Sequence, residues 1–237
     1  MRSLASPAQE SEQMDDADLD PATYARVLTD LARVNRWTLA ARPTLDFVSR
    51  VVGERDRFTL LDVGYGDGDL LRKIARWAEK RGKTAKLTGI DLNAKSARIA
   101  WSATPDRYDI EYLTGDYREH LEAGEAREGY DLIASSLVAH HMSRDQLVEF
   151  LRAMERHARL GWHINDLHRH RFAYLGYPLL ARAMGWHRIV REDGQLSIAR
   201  AFRPAEWRPV LDEAGLLSGS ATVHTRFPFR ICVDRTR

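Results

Sequence analysis

The sequence predicts an α/β fold in which a doubly wound, mostly parallel sheet of seven strands is covered by helices. Three observations support this prediction. Strand-like and helix-like segments alternate beyond Arg57, which is typical of a parallel sheet covered on both faces. A glycine-rich loop joins the first of these strands to a helix. The chain ends in a hairpin pattern, which predicts an antiparallel last strand.

Two regions precede the first strand. Residues 1–20 are rich in Asp, Glu, Gln, Ser and Ala and have little to bury, so we expect a disordered tail. Residues 21–57 carry apolar side chains at helical spacing, with Asp20 as N-cap and Pro21 as the first helical residue. Pro43 is expected to end or kink this first helix. We expect these N-terminal helices to form a cap over the domain.

The strands and helices of the main domain follow in order. A helix from 69 to about 81 is predicted to end at Gly82, and another spans 204–214. A long apolar insertion at about 168–203 lies where it can roof a pocket at the carboxyl edge of the sheet. The predicted strands are 59–63, 87–91, 110–114, 130–135 and 162–166, followed by a hairpin of 220–225 and 229–234.

Composition limits the possible functions. With 237 residues and 44% hydrophobic content, the chain can bury one sizeable core. Its 36 basic and 34 acidic residues leave a net charge of +2, which gives no overall field for nucleic acid or membranes. The single Cys232 excludes an intrachain disulfide framework, and no apolar run is long enough to span a bilayer. We therefore expect a cytoplasmic protein, monomeric or homodimeric.

The glycine loop is the most informative motif. An apolar strand runs into Asp62, and Gly64, Gly66 and Gly68 then alternate with other residues. Glycine lets a ligand approach the backbone closely, so this loop can carry an adenosine-bearing cofactor. The dinucleotide fingerprint needs a different spacing, with a third glycine or alanine where Asp69 stands. This difference weakens a nicotinamide or flavin interpretation but leaves a dinucleotide oxidoreductase as an alternative.

The pattern D-x-G-x-G-x-G resembles the first motif of class I S-adenosylmethionine-dependent methyltransferases, and the resemblance covers roughly residues 58–233. It implies a Rossmann-like methyltransferase domain at 58–237 with S-adenosylmethionine as cofactor. It also implies a ribose-binding role for Asp91 and an adenine-binding role for Asp116, at the ends of the second and third strands. Either carboxylate could instead cap the following helix. The predicted cofactor-binding residues are Asp62, Gly64, Tyr65, Gly66, Gly68, Asp91, Leu92, Asp116, Tyr117 and Ser135.

A histidine pair follows the fourth strand. The segment from Ser135 to Met142 is similar to the motif that ubiquinone- and menaquinone-biosynthesis methyltransferases and related small-molecule enzymes place beside the sulfonium. His140 and His141 then lie where a methyl acceptor would arrive, and a neutral imidazole can take a proton from a phenol or enol. We expect one of them, His141 in the first place, to be the general base. The alternative is that one packs and the other is solvated.

The end of the fifth strand offers candidates for acceptor binding. We expect Asp166 and Arg169 there, with Tyr174 and Tyr177 from the insertion, to contact the acceptor. A metal interpretation is open for the nitrogen and oxygen ligands in this region, but a strand that turns into a helix scatters them, and we expect no metal. The residues concerned in that interpretation are His163, Asp166, His168 and His170.

The sequence thus predicts methyl transfer to a small aromatic, phenolic or quinone-like acceptor, with O-methylation favoured. A noncatalytic S-adenosylmethionine-binding module is one alternative. An RNA-modifying enzyme is another, and it would use a basic strip as its binding surface. That strip would consist of Arg152, Arg156, His157, Arg159 and the region of Arg169.

Overall fold

In the computed structural model, which describes residues 4–16 and 18–237, the strands form one seven-stranded sheet in the order β3-β2-β1-β4-β5-β7-β6. Strands β1 to β5 are parallel, and β7 pairs antiparallel with both β5 and β6. The predicted fold class is therefore confirmed. The strands are Arg57–Val63 (β1), Thr84–Asp91 (β2), Ile110–Thr114 (β3), Tyr130–Ser136 (β4), Ala158–Leu167 (β5), Thr222–Arg226 (β6) and Arg230–Thr236 (β7).

Helices cover both faces of the sheet and one of its edges. One face is covered by α2, α3 and α4, and the other by α5, α6 and α9, each with its own apolar core. The helices are Pro21–Trp37 (α1), Arg42–Val52 (α2), Asp69–Glu79 (α3), Ala94–Ala103 (α4), Tyr117–Leu121 (α5), Arg144–His157 (α6), Arg171–Ala183 (α7), Arg188–Arg200 (α8) and Pro204–Glu213 (α9).

The sheet places the ends of its parallel strands at one edge. Strand β1 lies between β2 and β4, so the connections after β1 and β4 leave towards opposite faces. A crevice opens at such a point, outside the carboxyl ends of the strands, and ligands of α/β folds bind there. The register sets Val63 of β1 beside Ile90 of β2 and Ser135 of β4. The loops after β1, β2 and β4 therefore meet at the crevice.

Three helices roof the crevice. α1, α7 and α8 share an apolar cluster that includes Val27, Trp186 and Val190. The Asp30 carboxylate accepts a hydrogen bond from the backbone N–H of His187 at 2.8 Å, which ties α1 to the start of α8. We call α1, α7 and α8 the cap. The insertion thus supplies two of its helices.

The second N-terminal helix does not lie in the cap. α2 packs on the sheet through Phe47, whose ring stacks on His163 of β5 at 4.9 Å. The expectation that Pro43 ends or kinks the first helix also differs from the structure, because α1 ends at Trp37. Pro43 instead occupies the first turn of α2, where its missing N–H leaves no helical bond unmade.

The segment before α1 lies against the cap, unlike the expected tail. Glu12 is buried, and the Asp193 carboxylate of α8 accepts hydrogen bonds from the backbone N–H groups of Gln13 and Met14. These bonds fix residues 12–14 beside α8. The predicted tail also includes residues 1–3 and Ala17, which lie outside the described residues. Among the helices described, none has the length and apolar character needed to cross a membrane.

Candidate active site

A cavity of about 1090 Å³ lies between the carboxyl ends of the strands and the cap. The loops after β1, β2 and β4 form its floor, and α1, α7 and α8 contribute to its walls. The histidine pair and the glycine loop both border this space. Ligand sites in proteins have volumes of roughly 300–1,000 Å³, so the cavity has room for a cofactor and an acceptor together.

The glycine loop forms one wall with backbone that only glycine adopts without strain. Gly64 has φ +79°, and a Cβ built on it would collide with the side chain of Val138. Gly66 has φ +57° and open space where a Cβ would stand. Both line the cavity with Tyr65, whereas Gly68 packs against the ring of Tyr112. The loop therefore presents a flat stretch of backbone to a ligand.

Asp91 connects the glycine loop with the end of β2. Its Oδ2 accepts a hydrogen bond from the Gly66 N–H at 2.9 Å, and its Oδ1 accepts one from the Asn93 N–H at 2.8 Å. Helix α4 is capped by Asn93, whose side chain accepts from the Lys95 N–H. The N-cap of α4 is therefore Asn93 and not Asp91. The carboxylate borders the cavity together with Leu92.

Asp62 is a buried carboxyl group on the cavity wall. It is 1% exposed, and its Oδ1 has no hydrogen-bond partner among the described residues. Burial, with a further contribution from the negative charge of Asp91, raises the pKa of Asp62 to about 7. Such a group is close to its titration point at neutral pH, and a cationic ligand beside it would favour its ionised form.

Asp116 has the capping role that the sequence left open. Its side chain accepts from the Arg118 N–H at 2.8 Å and pairs with the Arg118 guanidinium. Asp116 does not border the cavity, but its neighbours Gly115 and Tyr117 do. Ser135 is also set back, with its hydroxyl donating to the Val63 carbonyl at 2.9 Å. The side chains of Asp116 and Ser135, both predicted to bind the cofactor, thus do not border the cavity.

His140 is held firmly by Asp166. The Nδ1 of His140 lies 2.7 Å from Asp166 Oδ1, and the His140 backbone N–H donates to Asp166 Oδ2 at 2.7 Å. Both residues are buried. Burial alone would raise the pKa of Asp166, but His140 outweighs it and the pKa is lowered, so the group is a carboxylate. Asp166 thus lies behind the histidine, and His140 borders the cavity.

Glu12 completes a cluster with the two histidines. Its Oε1 is 3.7 Å from His140 Nε2 and 3.8 Å from His141 Nε2, and it accepts a hydrogen bond from the Ser197 hydroxyl at 2.8 Å. The imidazole rings of the pair are 4.2 Å apart. Glu12, His140 and His141 each offer a ligand atom within 4.8 Å of one another, so in the described part of the chain this group could also hold a divalent cation.

The ligands of the earlier metal interpretation do not come together. His163 bonds to Asp234 across β5 and β7, whereas Asp166 bonds to His140. His168 and His170 lie beyond the strand end, with their rings 5.2 Å apart. These groups are therefore distributed over separate contacts along β5 and the turn that follows it.

The predicted acceptor residues take different positions. Arg169 is buried away from the cavity, where its guanidinium donates to the carbonyls of Leu4 and Ala201 and pairs with Glu206. Arg169 therefore joins the N-terminal segment to the start of α9, and it is not free to grip a ligand. Tyr174 also lies outside the cavity lining, whereas Tyr177 borders it and donates its hydroxyl proton to the Val190 carbonyl at 2.8 Å.

Two residues of the site were missed from the sequence. Glu12 lies in a polar segment with no motif around it. Arg230, at the start of β7, borders the cavity and is 2% exposed. Its Nη2 donates to the Thr38 hydroxyl at 3.1 Å, but Nε and Nη1 have no partner among the described residues. Burial lowers the pKa of Arg230 to about 10. A lone charge in the apolar run of the last strand was the signal that could have found it.

Comparisons with known proteins agree with this geometry. A family model described as a methyltransferase domain matches residues 60–161. The comparison with curated proteins gave no match. Among solved structures, the plantazolicin methyltransferase BpumL in complex with SAH is similar over 90% of this chain and 95% of its own, with a TM-score of 0.63 and 12% identity.

Two further structures share the fold. Human N-acetylserotonin methyltransferase in complex with SAM covers 92% of this chain and 56% of its own, with a TM-score of 0.62 and 16% identity. The magnesium protoporphyrin IX methyltransferase of Synechocystis PCC 6803 with bound SAH covers 94% of this chain and 90% of its own, with a TM-score of 0.57 and 16% identity. The resemblance found in the motifs is confirmed: residues 60–161 match a methyltransferase domain, and the fold is that of methyltransferases crystallised with SAM or SAH.

Proposed function

We propose that the cavity binds S-adenosylmethionine at its β1–β2 end and a small aromatic, phenolic or quinone-like acceptor at its β4–β5 end. S-adenosylmethionine supplies an electrophilic methyl group on a positively charged sulfur. Asp91 would bind the ribose hydroxyls, since its carboxylate borders the cavity beside the glycine loop and is held there by the N–H groups of Gly66 and Asn93. Asp62 offers a buried carboxylate to a cationic ligand.

The walls of the cavity suit a planar apolar acceptor. Trp37, Phe172 and Phe229 border it, and Leu31 and Ile198 add aliphatic surface. Aromatic walls bury a large area of a ring system. Holding two reactants in contact can supply about 7–11 kcal/mol of the barrier reduction, more than a general base supplies. We therefore infer that most of the rate enhancement comes from positioning in this pocket.

The bond between His140 and Asp166 supports O-methylation and carries the proposal. A carboxylate that accepts the proton of Nδ1 leaves Nε2 as the basic nitrogen. His140 Nε2 would then accept the proton of an acceptor hydroxyl as the methyl group is transferred. Because Asp166 bonds to the imidazole of His140 and so orients it, this geometry favours His140 over His141 as the base.

Arg230 adds a reason to expect an oxygen-bearing acceptor. Its Nε carries one N–H and its Nη1 two, and none of them has an acceptor among the described residues. An acceptor carbonyl or ionised hydroxyl on this wall would satisfy them. Quinone-like and phenolic rings carry such oxygens, whereas a purely hydrocarbon ring does not.

Methyl-transfer assays with histidine variants test the proposal. S-adenosylhomocysteine formation would be followed with a panel of phenolic, amine and carbon acceptors. We expect turnover of phenolic acceptors, and we expect His140→Ala to lower kcat by about a hundredfold or more while S-adenosylhomocysteine binding is retained. His224→Ala, on β6 and outside the cavity lining, is the matched control. Unchanged turnover in both His140→Ala and His141→Ala would exclude a histidine base.

An RNA substrate is less well supported by the arginines of α6 and β5. Arg152 donates to the Glu213 carbonyl at 2.7 Å, and Arg156 pairs with Glu122 at 3.1 Å. Arg159 pairs with Asp131 at 3.2 Å. The carboxylates of Glu122 and Asp131 thus reduce the positive charge of the basic strip that RNA binding would need. Strong, salt-dependent RNA binding would reverse this preference.

A further inference from the structure

Several large apolar side chains on the cavity wall, or on the elements that carry it, are open to solvent. Phe172 is 73% exposed and Leu179 69% exposed, both on α7, while Trp37 at the end of α1 is 63% exposed and Phe227, between β6 and β7, is 84% exposed. Single exposed apolar residues are common, but a contiguous group marks an interaction surface. We call this group the apolar rim; it consists of Trp37, Leu39, Phe172, Leu179, Phe227 and Phe229.

The apolar rim is continuous with the cavity behind it. Trp37, Phe172 and Phe227 also line the cavity. The ring of His170 stacks on Phe229 at 4.9 Å and lies 5.5 Å from Phe172, so it joins the start of α7 to the hairpin turn. Leu179 follows Phe172 by seven residues, which places both on one face of α7. The apolar rim therefore forms one continuous apolar surface with this part of the cavity wall.

Basic residues accompany the apolar rim. They lie on its own elements: beside Trp37, at the start of α2, at both ends of α7 and at the end of β6. All of them are exposed, and none forms an ion pair with a carboxylate in the part of the chain that the structure describes. We call them the rim arginines: Arg36, Arg42, Arg171, Arg182 and Arg226.

The combination of an apolar centre and unpaired positive charge selects the partner. A second copy of this chain would bring like charges together across a symmetric interface, which disfavours it. A membrane surface with anionic lipids offers negative head groups to the arginines and acyl chains to the exposed rings. Each basic residue near such a surface contributes roughly 1 kcal/mol of attraction. The positive charge is thus complementary to a bilayer and not to another copy.

We propose that the apolar rim and the rim arginines dock this enzyme on an anionic membrane surface, from which an apolar acceptor enters the cavity. The rim inserts into the head-group region and the arginines bind lipid phosphates. The proposed membrane contact is inferred only from the exposed apolar and basic side chains. Only the entry of an acceptor rests on the proposed function.

Vesicle binding tests the docking surface. Sedimentation would be compared for vesicles of pure phosphatidylcholine and for vesicles of phosphatidylcholine and phosphatidylglycerol in equal parts, at low and high salt. We expect about tenfold or stronger binding to the mixed vesicles at low salt, weakening as salt is added. The double variant Leu39→Ser with Leu179→Ser, at two rim positions outside the cavity lining, should lose about tenfold or more of this binding. The double variant Arg171→Gln with Arg182→Gln should lose the preference for mixed vesicles.

The matched control is Leu217→Ser, which removes an 80% exposed leucine outside the cavity lining and should leave vesicle binding unchanged. S-adenosylhomocysteine binding, measured by thermal shift, should be the same in all variants, so a failure of docking is distinguishable from a failure of the proposed function. Equal binding to both vesicle types, or none, would overturn the proposal. So would sedimentation velocity showing that Leu39→Ser with Leu179→Ser converts a dimer to a monomer.

Discussion

Replacement of Asp62 by asparagine should stabilise the ligand-free protein and weaken cofactor binding. Asp62 is 1% exposed, and one of its oxygens has no hydrogen-bond partner among the described residues. Burial, together with the charge of Asp91, raises its pKa from 3.8 to about 7. Asparagine has nearly the same shape and no charge to desolvate. The change in the free energy of unfolding caused by Asp62→Asn therefore measures the cost of burying the charged carboxylate.

The sign of the pH dependence follows from the two pKa values. Between about pH 4 and pH 7 the folded protein keeps the proton of Asp62 while the unfolded chain has released it, so stability falls as the pH rises. Each pH unit in this window is worth about 1.4 kcal/mol. Above pH 7 the full cost, about 4 kcal/mol, has been incurred and the slope vanishes. Asp62→Asn removes this cost.

Thermal unfolding of ligand-free protein at about pH 5 and about pH 8 measures the effect. At the higher pH the variant should unfold roughly 8–16 °C above the wild type, the shift expected for about 4 kcal/mol in a chain of this size, and the difference should shrink at the lower pH. In calorimetry the variant should bind S-adenosylmethionine more weakly, because a carboxylate beside the cation is lost.

The exposed Asp106→Asn is the control and should leave the difference between the two pH values unchanged. The reasoning is refuted if Asp62→Asn is less stable than the wild type at about pH 8. It is equally refuted if the variant retains the wild-type dependence on pH.

Three further substitutions probe other parts of the site. Gly64→Ala places a Cβ against Val138 at positive φ and should destabilise the protein by about 1–3 kcal/mol in urea unfolding; an unchanged midpoint would contradict this. Asp91→Asn should weaken S-adenosylhomocysteine binding about tenfold or more in calorimetry, with unchanged affinity counting against the ribose role. Asp166→Asn should lower kcat about a hundredfold with KM and S-adenosylhomocysteine affinity retained, since it removes the partner that orients His140; a change in KM alone would indicate an acceptor contact instead.

The cofactor half of the site could be predicted because its signals are local. An apolar strand followed by alternating glycines indicates both a strand end and a close ligand approach, and Gly64, Gly66 and Asp91 all border the cavity. Asp116 shows the limit of such signals. A carboxylate at a strand end can bind a ligand or cap a helix, and only the position of Arg118 decides between these roles.

Element boundaries were harder to predict where no loop separates two elements. β5 begins at Ala158, directly after α6 ends at His157, whereas the sequence predicts its start four residues later. After the buried Ala158, the strand continues with Arg159, which is exposed, and Leu160, which is half-buried. The point where the apolar pattern of β5 begins therefore indicates where its side chains become buried. It does not indicate where the backbone of β5 starts to pair with its neighbours.

The acceptor half could not be predicted because distant segments assemble it. Glu12 precedes α1 and meets His140 and His141 some 130 residues further along the chain, while Arg230 arrives from the last strand. The low hydrophobicity around Glu12 predicts a disordered segment. This prediction fails because the sequence alone does not show the buried side chains that bind the segment. The Ser197 hydroxyl and the Asp193 carboxylate of α8 satisfy this segment. The same polar character that suggests a tail thus supplies the hydrogen bonds that fix it at the site.

The two halves of the site differ in how freely their residues can be substituted. The residues proposed to bind the cofactor are tied to the backbone of the sheet, where Gly64 leaves no room for a side chain and Asp91 is bonded to the loop. The acceptor wall comes instead from exposed side chains on α7 and the hairpin turn, such as Phe172 and Phe227, which few contacts constrain. Substitutions there cost little stability. Acceptor preference should therefore be changeable through the cap without loss of cofactor binding.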